Sequence, residues 1–377
     1  MSRLSITVYI ISILCSLTSV FAMSNNDSGT DDPLKIAVIG LTHTHVHWIF
    51  ESEKRRDDFE IVAIVEPNAD LAKRYSDQHG FNISEVYASM DLLPESKPIE
   101  AFAAFGSIYE HLQVVEFAAP RGIHVMVEKP LAVSMEHASK MHALAEEHNI
   151  HLLTNYETTW YPTNHRLKEL LKEGVIGEVR KVVVHDGHKG PKKLGINSEF
   201  LDWLLDPKLN GGGAITDFGC YGVNLMTWLL DGEKPRSVTA VTQQLQPENN
   251  PKVDDEATII LAYEKSQAVI QASWNWPIGR KDMDVYGLLG SVSALNRNDL
   301  RVRIAKGYDD FSENNHRLKT RSAPLDDPFS YFAAVVRGKI IPEPYDLSSL
   351  ENNMIVMEIL DAAIRSSKTG QTIWLTP

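Results

Sequence analysis

The first half of this 377-residue chain alternates short apolar runs with helix-length segments, and this alternation constrains the fold more than any other feature. The run 35–40 (KIAVIG) ends in glycine, and a helix-length stretch separates it from a second apolar run at 60–65 (EIVAIV). Further strand and helix units continue to about residue 155. Strands that alternate with helices predict a doubly wound parallel sheet, whose ligand crevice lies beyond the carboxyl ends of the strands.

The pattern changes after residue 155, where strand-like segments follow one another without obligatory helices between them. A helix is expected at 163–173 and an amphipathic helix at 347–367, and the strand-like segments are 181–185, 237–245, 257–263, 268–276 and 284–288. This order predicts an α/β domain with an open, mainly antiparallel sheet. We therefore predict a first domain over residues 34–155 and a second over 156–377.

The N-terminus has the pattern of a targeting segment. Arg3 precedes the apolar run 6–22, which ends in the residues SVFA. The run predicts a cleavable secretory signal over 1–22, and its polar residues and short length argue against the alternative of a retained membrane anchor. Residues 23–33 are polar and predict a disordered tether. We expect an exported protein, periplasmic or secreted, that has no membrane contact after cleavage.

The charge balance argues against one class of partner. Asp and Glu number 50 and Lys and Arg 37, so the net charge is -13. Such a field repels phosphate backbones, so nucleic acid is not an expected partner. Cleavage of the signal would leave Cys220 as the single cysteine, so no internal disulfide is expected.

The turn after the first apolar run reads GLTHTH over 40–45 and keeps only the first glycine of the GxGxxG dinucleotide motif. We expect Gly40, Thr42 and His43 to contact a dinucleotide, with Thr42 capping the following helix. Glu66, the acid that ends the second run, is expected to accept both hydroxyls of the adenosine ribose. Because Pro67 follows it instead of a basic residue, NAD is favoured over NADP; the alternative for Glu66 is a solvated strand-end carboxylate.

Three histidines alternate at His43, His45 and His47, and this spacing raises the question of a metal site. At the start of a helix such residues fan around the axis, so only some of them can converge. A second cluster of ligands is not evident beyond HDGH at 185–188. We predict no metal, with one or two of these histidines lining the crevice and His47 in a packing or surface role.

Two separated motifs carry a family resemblance. The residues EKP at 128–130 follow an apolar run directly, and GGGAITDFGCY at 211–221 is continued by WLL at 228–230. In this order they resemble the motifs of the Gfo/Idh/MocA oxidoreductases, and the similarity extends over residues 34–375. The resemblance implies an N-terminal Rossmann domain that binds NAD, and a C-terminal α/β domain with an open sheet.

The resemblance also implies roles for individual residues. Lys129 would exchange the proton of a substrate hydroxyl if partial burial lowers its pKa, and Glu128 belongs to the same cofactor-facing motif. Asp217 and Tyr221 lie four residues apart, so they project from one face if they open a helix, and they would hydrogen-bond the substrate. The alternatives are a surface lysine, a helix cap and a core aromatic.

Further candidate residues follow from looser matches. The segment GSIYEH at 106–111 resembles the family segment that borders the nicotinamide, which implicates Ser107 and His111. Tyr156, Trp160 and His188 are candidate substrate contacts, since aromatic faces stack on the apolar side of a pyranose ring. Interdomain packing is the alternative for the aromatic residues.

Three functions remain open from the sequence. The first is an exported NAD-dependent oxidoreductase that transfers a hydride from or to a secondary hydroxyl of a sugar, cyclitol or glycoside. The second is an NAD-dependent glycosidase that works by transient oxidation and elimination. The third is a non-catalytic sugar-binding protein that has lost dinucleotide binding. In each case we expect a carbohydrate partner and a homo-oligomer formed through the second sheet.

Overall fold

The computed structural model describes residues 32–376. The predicted signal segment at 1–22 and most of the predicted tether lie outside the described residues. Within 32–376, no helix combines the length and the apolar character that crossing a membrane requires.

The first domain is a six-stranded parallel sheet in the order β3-β2-β1-β4-β5-β6. Its strands are β1 (Leu34–Ile39), β2 (Phe59–Val65), β3 (Val86–Tyr87), β4 (Ala101–Ala104), β5 (His124–Glu128) and β6 (Leu152–Asn155). Its helices are α1 (Val46–Glu53), α2 (Ala69–His79), α3 (His111–Ala118) and α4 (Met135–Glu147). This order confirms the predicted doubly wound sheet, and the strand order reverses beside β1, where such sheets bind ligands.

The strands of this sheet are mainly apolar because helices cover both faces. Successive residues of β1 alternate between two cores: Ile36 and Val38 pack in one cluster of buried residues, and Ala37 and Ile39 in the other. The period-two alternation of side chains along a strand explains this division. The carboxyl ends of the strands are thereby held at one edge of the sheet.

The second domain is a nine-stranded sheet in the order β14-β13-β12-β11-β7-β10-β9-β8-β15. Its strands are β7 (Val179–Gly187), β8 (Ser237–Gln243), β9 (Glu256–Ala262), β10 (Gln267–Ser273), β11 (Arg280–Gly287), β12 (Gly290–Ala294), β13 (Asp299–Ala305), β14 (Phe311–Arg317) and β15 (Ile373–Trp374). Only β7 and β10 pair in parallel, which confirms the mainly antiparallel prediction. The pattern missed β12 to β14, where β14 is largely exposed and polar.

The helices of the second half are α5 (Pro162–Lys172), α6 (Pro191–Leu194), α7 (Ser198–Leu204), α8 (Pro207–Asn210), α9 (Ala214–Asp217), α10 (Gly219–Leu229), α11 (Pro328–Val336) and α12 (Leu350–Thr369). One of them, α11, returns to the first domain. Phe329 and Phe332 are buried with Ile36 in the same core, and Ser52 of α1 donates a 2.7 Å hydrogen bond to Asp327, the N-cap of α11. A helix from the second half of the chain thus packs in the core of the first sheet.

Candidate active site

A cavity of about 500 Å³ opens where the β1 and β5 ends of the first sheet face the second domain. The first domain contributes His43, His45 and Lys129 to its lining. The second domain contributes Tyr161, His188, Asp217, Tyr221, Arg280, Lys281 and Arg297, among others. Several residues that the sequence singled out separately are thus brought to one place.

Lys129 and Asp217 form a buried ion pair at the centre of this lining. The Lys129 Nζ donates to the Asp217 carboxylate, and also to the Asp217 carbonyl oxygen at 3.0 Å. The other carboxylate oxygen, Oδ2, accepts the indole N–H of the fully buried Trp274 at 3.0 Å. Both oxygens of Asp217 therefore have a fixed donor, and the pair is held rigidly.

This pairing overturns the expectation that burial lowers the pKa of Lys129. Burial does act in that direction, but the Asp217 carboxylate outweighs it, and the net shift of the Lys129 pKa is upward. Burial likewise raises the pKa of Asp217, and the Lys129 ammonium outweighs it and lowers that pKa. At neutral pH the pair is therefore charged, so Lys129 holds a proton that it can donate, and it can accept one only where the pH is high enough to deprotonate it.

The glycine-rich segment positions Asp217 by packing closely on Asp254. Asp254 accepts hydrogen bonds from the backbone N–H groups of Gly213 (3.0 Å to Oδ1), Ile215 (2.8 Å to Oδ2) and Ala214 (3.0 Å to the carbonyl oxygen). A Cβ at Gly213 would lie 1.8 Å from the Asp254 carbonyl oxygen, so only glycine fits there. The close approach fixes the start of α9, whose last residue is Asp217.

The condition that Asp217 and Tyr221 open one helix is not met. Phe218 interrupts the path, so that α9 ends at Asp217 and α10 starts at Gly219. Both side chains nevertheless line the cavity. The Tyr221 ring lies 4.6 Å from the Nζ of Lys281 and 5.2 Å from that of Lys129, measured to the ring centroid.

Two of the three predicted substrate contacts lie in the core instead. Tyr156 is fully buried and packs edge-on against Tyr221 at 5.4 Å between ring centroids. Trp160 is buried in the first-domain core and donates its indole N–H to Asn155 at 3.0 Å. Neither residue lines the cavity, so the packing alternative applies to both; Tyr161, the next residue, is the aromatic that reaches it.

His188 lines the cavity, as predicted. Its Nδ1 accepts the backbone N–H of Gly190 at 3.0 Å, and its ring packs edge-on against Phe218 at 4.8 Å. Burial lowers the pKa of His188, with the nearby Asp217 charge acting in the opposite direction. The neutral imidazole that results carries its proton on Nε2.

Both carboxylate oxygens of Glu128 have partners within the protein. Its Oε2 lies 2.9 Å from His45 Nδ1, and its Oε1 accepts the side-chain amide of Asn155 at 2.8 Å. Burial raises the pKa of Glu128, but His45, His43 and Asn155 outweigh that effect and bring the pKa to about 2. Glu128 is therefore an ionised carboxylate that orients His45.

His45 and Glu128 form a hydrogen-bonded dyad that the sequence analysis did not predict. A carboxylate at Nδ1 places the proton on that nitrogen and leaves Nε2 as an acceptor, which is the arrangement of a general base. His45 lines the cavity, so such a base would face a bound molecule. The two residues are 83 positions apart, and local patterns carry no signal of their contact.

The donor atoms of His43, His45 and Glu128 lie within 4.8 Å of one another, close enough for a metal ligand set. The hydrogen bonds argue against His43 as a ligand. Its Nδ1 accepts the His45 backbone N–H at 3.0 Å, so its proton sits on Nε2, whereas a metal-binding imidazole donates its second N–H and coordinates through the other nitrogen. His47 lies apart and contacts His79, with 2.7 Å between Nδ1 and Nε2.

The turn after β1 has the close packing of a nucleotide-binding turn at its first glycine. Gly40 has a φ of +80°, and a Cβ there would lie 2.8 Å from the backbone nitrogen of Gly106. Both glycines line a second cavity of about 220 Å³ at the ends of β1, β2 and β4. In doubly wound sheets this is the position of the adenosine half of a dinucleotide.

Glu66 lies beside this second cavity and does not line it. Its Oε2 accepts the backbone N–H of Leu41 at 2.9 Å, and its Oε1 accepts that of Asn68 at 2.8 Å. Burial raises the pKa of Glu66, and the two backbone hydrogen bonds oppose the shift. In this structure the carboxylate holds the turn together, a role that the sequence analysis did not predict.

Thr42 does not cap the following helix, contrary to expectation. Helix α1 begins at Val46 after His45, which makes no side-chain capping bond. The Thr42 hydroxyl instead accepts the indole N–H of Trp203 at 3.1 Å, and Phe200 packs on His43 at 4.5 Å between ring centroids. Helix α7, which carries Phe200 and Trp203, therefore covers the turn between the two cavities.

Of the two candidates in the segment 106–111, one lines a cavity and the other does not. Ser107 is buried in a capping box with Glu110 and lines neither of these two cavities. His111 lines the smaller cavity, and its Nδ1 donates to the carbonyl oxygen of Leu131 at 3.1 Å. Burial lowers the pKa of His111 to about 4, so its imidazole is neutral.

The first domain is a doubly wound sheet with a glycine turn, and two cavities lie at its strand ends. The second domain contains an open sheet. Together these features define a two-domain protein of the dinucleotide-fold class. Two family models match the chain: "Oxidoreductase family, NAD-binding Rossmann fold" over residues 34–156 and "GFO/IDH/MocA C-terminal domain" over residues 164–293. Together they span about two thirds of the sequence. The chain belongs to the Gfo/Idh/MocA oxidoreductase family, as the motifs indicated.

Individual relatives are distant. The chain is 29% identical over 218 residues to the trans-1,2-dihydrobenzene-1,2-diol dehydrogenase of Xenopus tropicalis, a match over 57% of this chain and 61% of that protein. It thus spans about three fifths of the length of this relative. It is also 24% identical to the D-xylose 1-dehydrogenase [NADP(+)] of Haloarcula marismortui, over 92% of this chain and 95% of that protein.

Solved structures share the fold. An inositol dehydrogenase homolog from Azotobacter vinelandii, complexed with NAD+, has a TM-score of 0.78 at 19% identity, over 91% of this chain and 98% of its own. The aldose-aldose oxidoreductase from Caulobacter crescentus, complexed with glycerol, has a TM-score of 0.75 at 21% identity, over 91% of this chain and 100% of its own.

Proposed function

We propose that this protein is an NAD-dependent oxidoreductase that transfers a hydride from or to a secondary hydroxyl of a sugar, cyclitol or glycoside. The buried Lys129–Asp217 pair carries the proposal, because it places a fixed proton donor beside a cavity of about 500 Å³ at the strand ends of a dinucleotide fold. The matched diol and xylose dehydrogenases support it.

The two cavities fit the two halves of a dinucleotide, with the pyrophosphate at the turn that links them. Gly40 and Gly106 open the smaller cavity for the adenosine, and the larger cavity adjoins Lys129. None of the residues that line the smaller cavity is Lys or Arg, whereas Glu110 lines it and Glu66 lies next to it. Two carboxylates without a cation disfavour a 2'-phosphate, which supports NAD over NADP. When bound, NAD would supply the hydride chemistry.

The residues of the larger cavity would divide the remaining work. The Lys129 ammonium would donate a hydrogen bond to the reacting oxygen and deliver a proton to it in the reductive direction. Asp217 would keep Lys129 charged and in position, and Tyr221 would add a hydroxyl beside them. His43 and His188, both protonated on Nε2, would donate to other hydroxyls of the substrate.

The cofactor is the first test of this proposal. We expect purified protein to release NAD on heat denaturation, or to bind added NAD, detected by mass spectrometry and calorimetry. Gly40→Ala should lose the nucleotide, because the new Cβ would meet Gly106 in a conformation that disfavours side chains. Protein that neither holds nor binds NAD would overturn the proposal and favour the non-catalytic, sugar-binding alternative.

The pH dependence of the two reaction directions is expected to have opposite signs. Because the pKa of Lys129 is raised, the protonated form persists into the alkaline range. The reductive rate should therefore fall, and the oxidative rate rise, as the pH passes through that range. Initial rates in both directions across pH would show this. An oxidative rate that levels off in the neutral range would contradict Lys129 as the acceptor.

A second candidate function is an NAD-dependent glycosidase that oxidises a sugar, cleaves the glycoside by elimination and reduces the sugar again. The observation that favours it is the His45–Glu128 dyad, since elimination beside a transient carbonyl requires a base in addition to the Lys129–Asp217 pair. Cleavage of a glycoside without net consumption of NAD would distinguish this function from simple oxidation. His45→Asn would then stop cleavage while the nucleotide stays bound.

We further propose that the protein is exported and forms a homo-oligomer through the second sheet. The apolar run at 1–22 supports export, and a cofactor retained under Trp203 would suit a protein outside the cytoplasm. Val241, Ile260 and Tyr286 are exposed on strands β8, β9 and β11, where they alternate with buried residues, so they lie on the face opposite the core. Such a face is suited to contact with a second copy.

A further inference from the structure

The larger cavity differs in charge from the rest of the protein. The chain as a whole carries a net charge of -13. The lining of this cavity nevertheless contains the cations Lys129, Arg280, Lys281 and Arg297 and a single carboxylate, Asp217. A cleft lined by one sign of charge concentrates ligands of the opposite sign.

Three of the four cations already have a carboxylate partner. Lys129 is paired with Asp217, and Lys281 donates to Glu157. Arg280 makes two hydrogen bonds of 2.7 Å to Asp282. These pairs are largely neutralised, so they do not by themselves require an anionic ligand.

Arg297 is the exception. Its guanidinium has no carboxylate partner within residues 32–376 and lies 5.3 Å from the centroid of the Tyr161 ring. Arg297 is half-buried on the turn between β12 and β13, and its carbonyl oxygen accepts the Thr163 hydroxyl at 3.2 Å. The turn is held further by Asn296, whose side-chain oxygen accepts the backbone N–H of Asp299 at 2.9 Å. The backbone of Arg297 is therefore held at the cavity, and its guanidinium faces the Tyr161 ring without a counter-ion from the described residues.

We propose that Arg297 binds an anionic group, a carboxylate or a sulfate or phosphate ester, on the sugar that occupies this cavity. The planar guanidinium presents paired N–H donors that match two oxygens of such a group, and the Tyr161 ring lies beside it at 5.3 Å from the centroid. This proposal depends on the proposed function only in placing a sugar in the cavity. The substrate class is then an acidic sugar, such as a uronic acid residue, instead of a neutral one.

The test is a comparison of binding by calorimetry on the full chain as purified. The probes are D-glucuronate and D-galacturonate against their uncharged methyl esters, with glucose 6-sulfate and glucose 6-phosphate against glucose. At least one anionic probe should bind about tenfold or more tightly than its neutral counterpart, the range that charge-assisted hydrogen bonds supply. A preference for uronates would identify a carboxylate, and one for the esters would identify a sulfate or phosphate.

Variants separate Arg297 from a general effect of charge. Arg297→Gln should remove the preference by weakening the binding of the anionic probes more than that of their neutral counterparts, and Arg297→Lys should keep part of the preference. Arg180→Gln provides the matched control, since Arg180 is an exposed arginine on the same sheet, paired with Glu178 outside the cavity. The thermal midpoint of each variant checks that the fold is intact.

Two results would overturn the proposal: no preference for any anionic probe, or a preference that survives in Arg297→Gln. Because the readout is sugar binding, it does not depend on turnover. A protein without NAD that still prefers anionic sugars through Arg297 would refute the proposed function and leave this inference standing.

Discussion

Replacement of Lys129 by methionine is expected to lower turnover by about 10²- to 10⁴-fold while the nucleotide stays bound. Methionine has a similar length but has no proton to exchange with the reacting oxygen. Lys129 lies in the larger cavity and not among the residues that line the smaller, adenosine-side cavity. Steady-state rates on a panel of sugars and cyclitols measure the loss of turnover, and the NAD content of the purified protein measures the retention of the nucleotide.

This substitution also leaves Asp217 buried without its cation, and removal of one partner of a buried ion pair costs about 3 to 5 kcal/mol. The double variant Lys129→Met with Asp217→Asn removes both charges and should recover much of that stability but none of the turnover. Lys140→Met, which disrupts an exposed pair with Glu136, is the matched control and should change neither quantity appreciably. Full activity in Lys129→Met would refute the assigned role.

Gly213→Ala is expected to destabilise the protein by about 3 kcal/mol or more, because the new Cβ would lie 1.8 Å from the Asp254 carbonyl oxygen. The neighbour is a backbone carbonyl that accepts the Ala214 N–H, and the carboxylate of the same Asp254 accepts the N–H groups of Gly213 and Ile215, so Asp254 cannot move aside without breaking these bonds. Since this contact fixes α9, we also expect loss of the Lys129–Asp217 geometry and therefore of activity. Urea unfolding followed by circular dichroism gives the stability.

Gly307→Ala is the control for this substitution. A Cβ at Gly307 would meet no atom within 4 Å, so its effect should remain within about 0.5 kcal/mol. If Gly213→Ala proved as stable as Gly307→Ala, the rigid contact between the glycine segment and Asp254 would be wrong, and with it the explanation for the position of Asp217.

The sequence alone located most of the fold because periodicity is a local signal. The first-sheet strands that it predicted near 35–40, 60–65 and 101–104 lie within a few residues of the observed ones, since both faces are covered by helices and the runs are mainly apolar. Strand β14 and helix α11 were not predicted from the sequence. Strand β14 is exposed and polar, and α11 packs into a domain far away in sequence.

The candidate site was predicted in part. Lys129, Asp217, Tyr221 and His188 were identified before the structure and line one cavity. Tyr156 and Trp160 were predicted to contact the substrate, but both are buried. The sequence pattern of an aromatic residue after a strand is the same whether the side chain faces a crevice or a core. Arg297 was overlooked, since a single arginine in a turn has no local signature.

The sequence by itself determined the parallel sheet, the family and the identity of the lysine and aspartate, since each rests on a contiguous motif or a local period. Only the tertiary structure decided what those residues can do. The charge of Lys129 depends on Asp217, 88 residues away, the orientation of His45 on Glu128, 83 residues away, and the cover of Thr42 on Trp203, 161 residues away. The pKa of Lys129, the tautomer of His45 and the exposure of Thr42 each depend on residues that are close in space but distant in sequence. Only the packing of the folded chain brings those residues together.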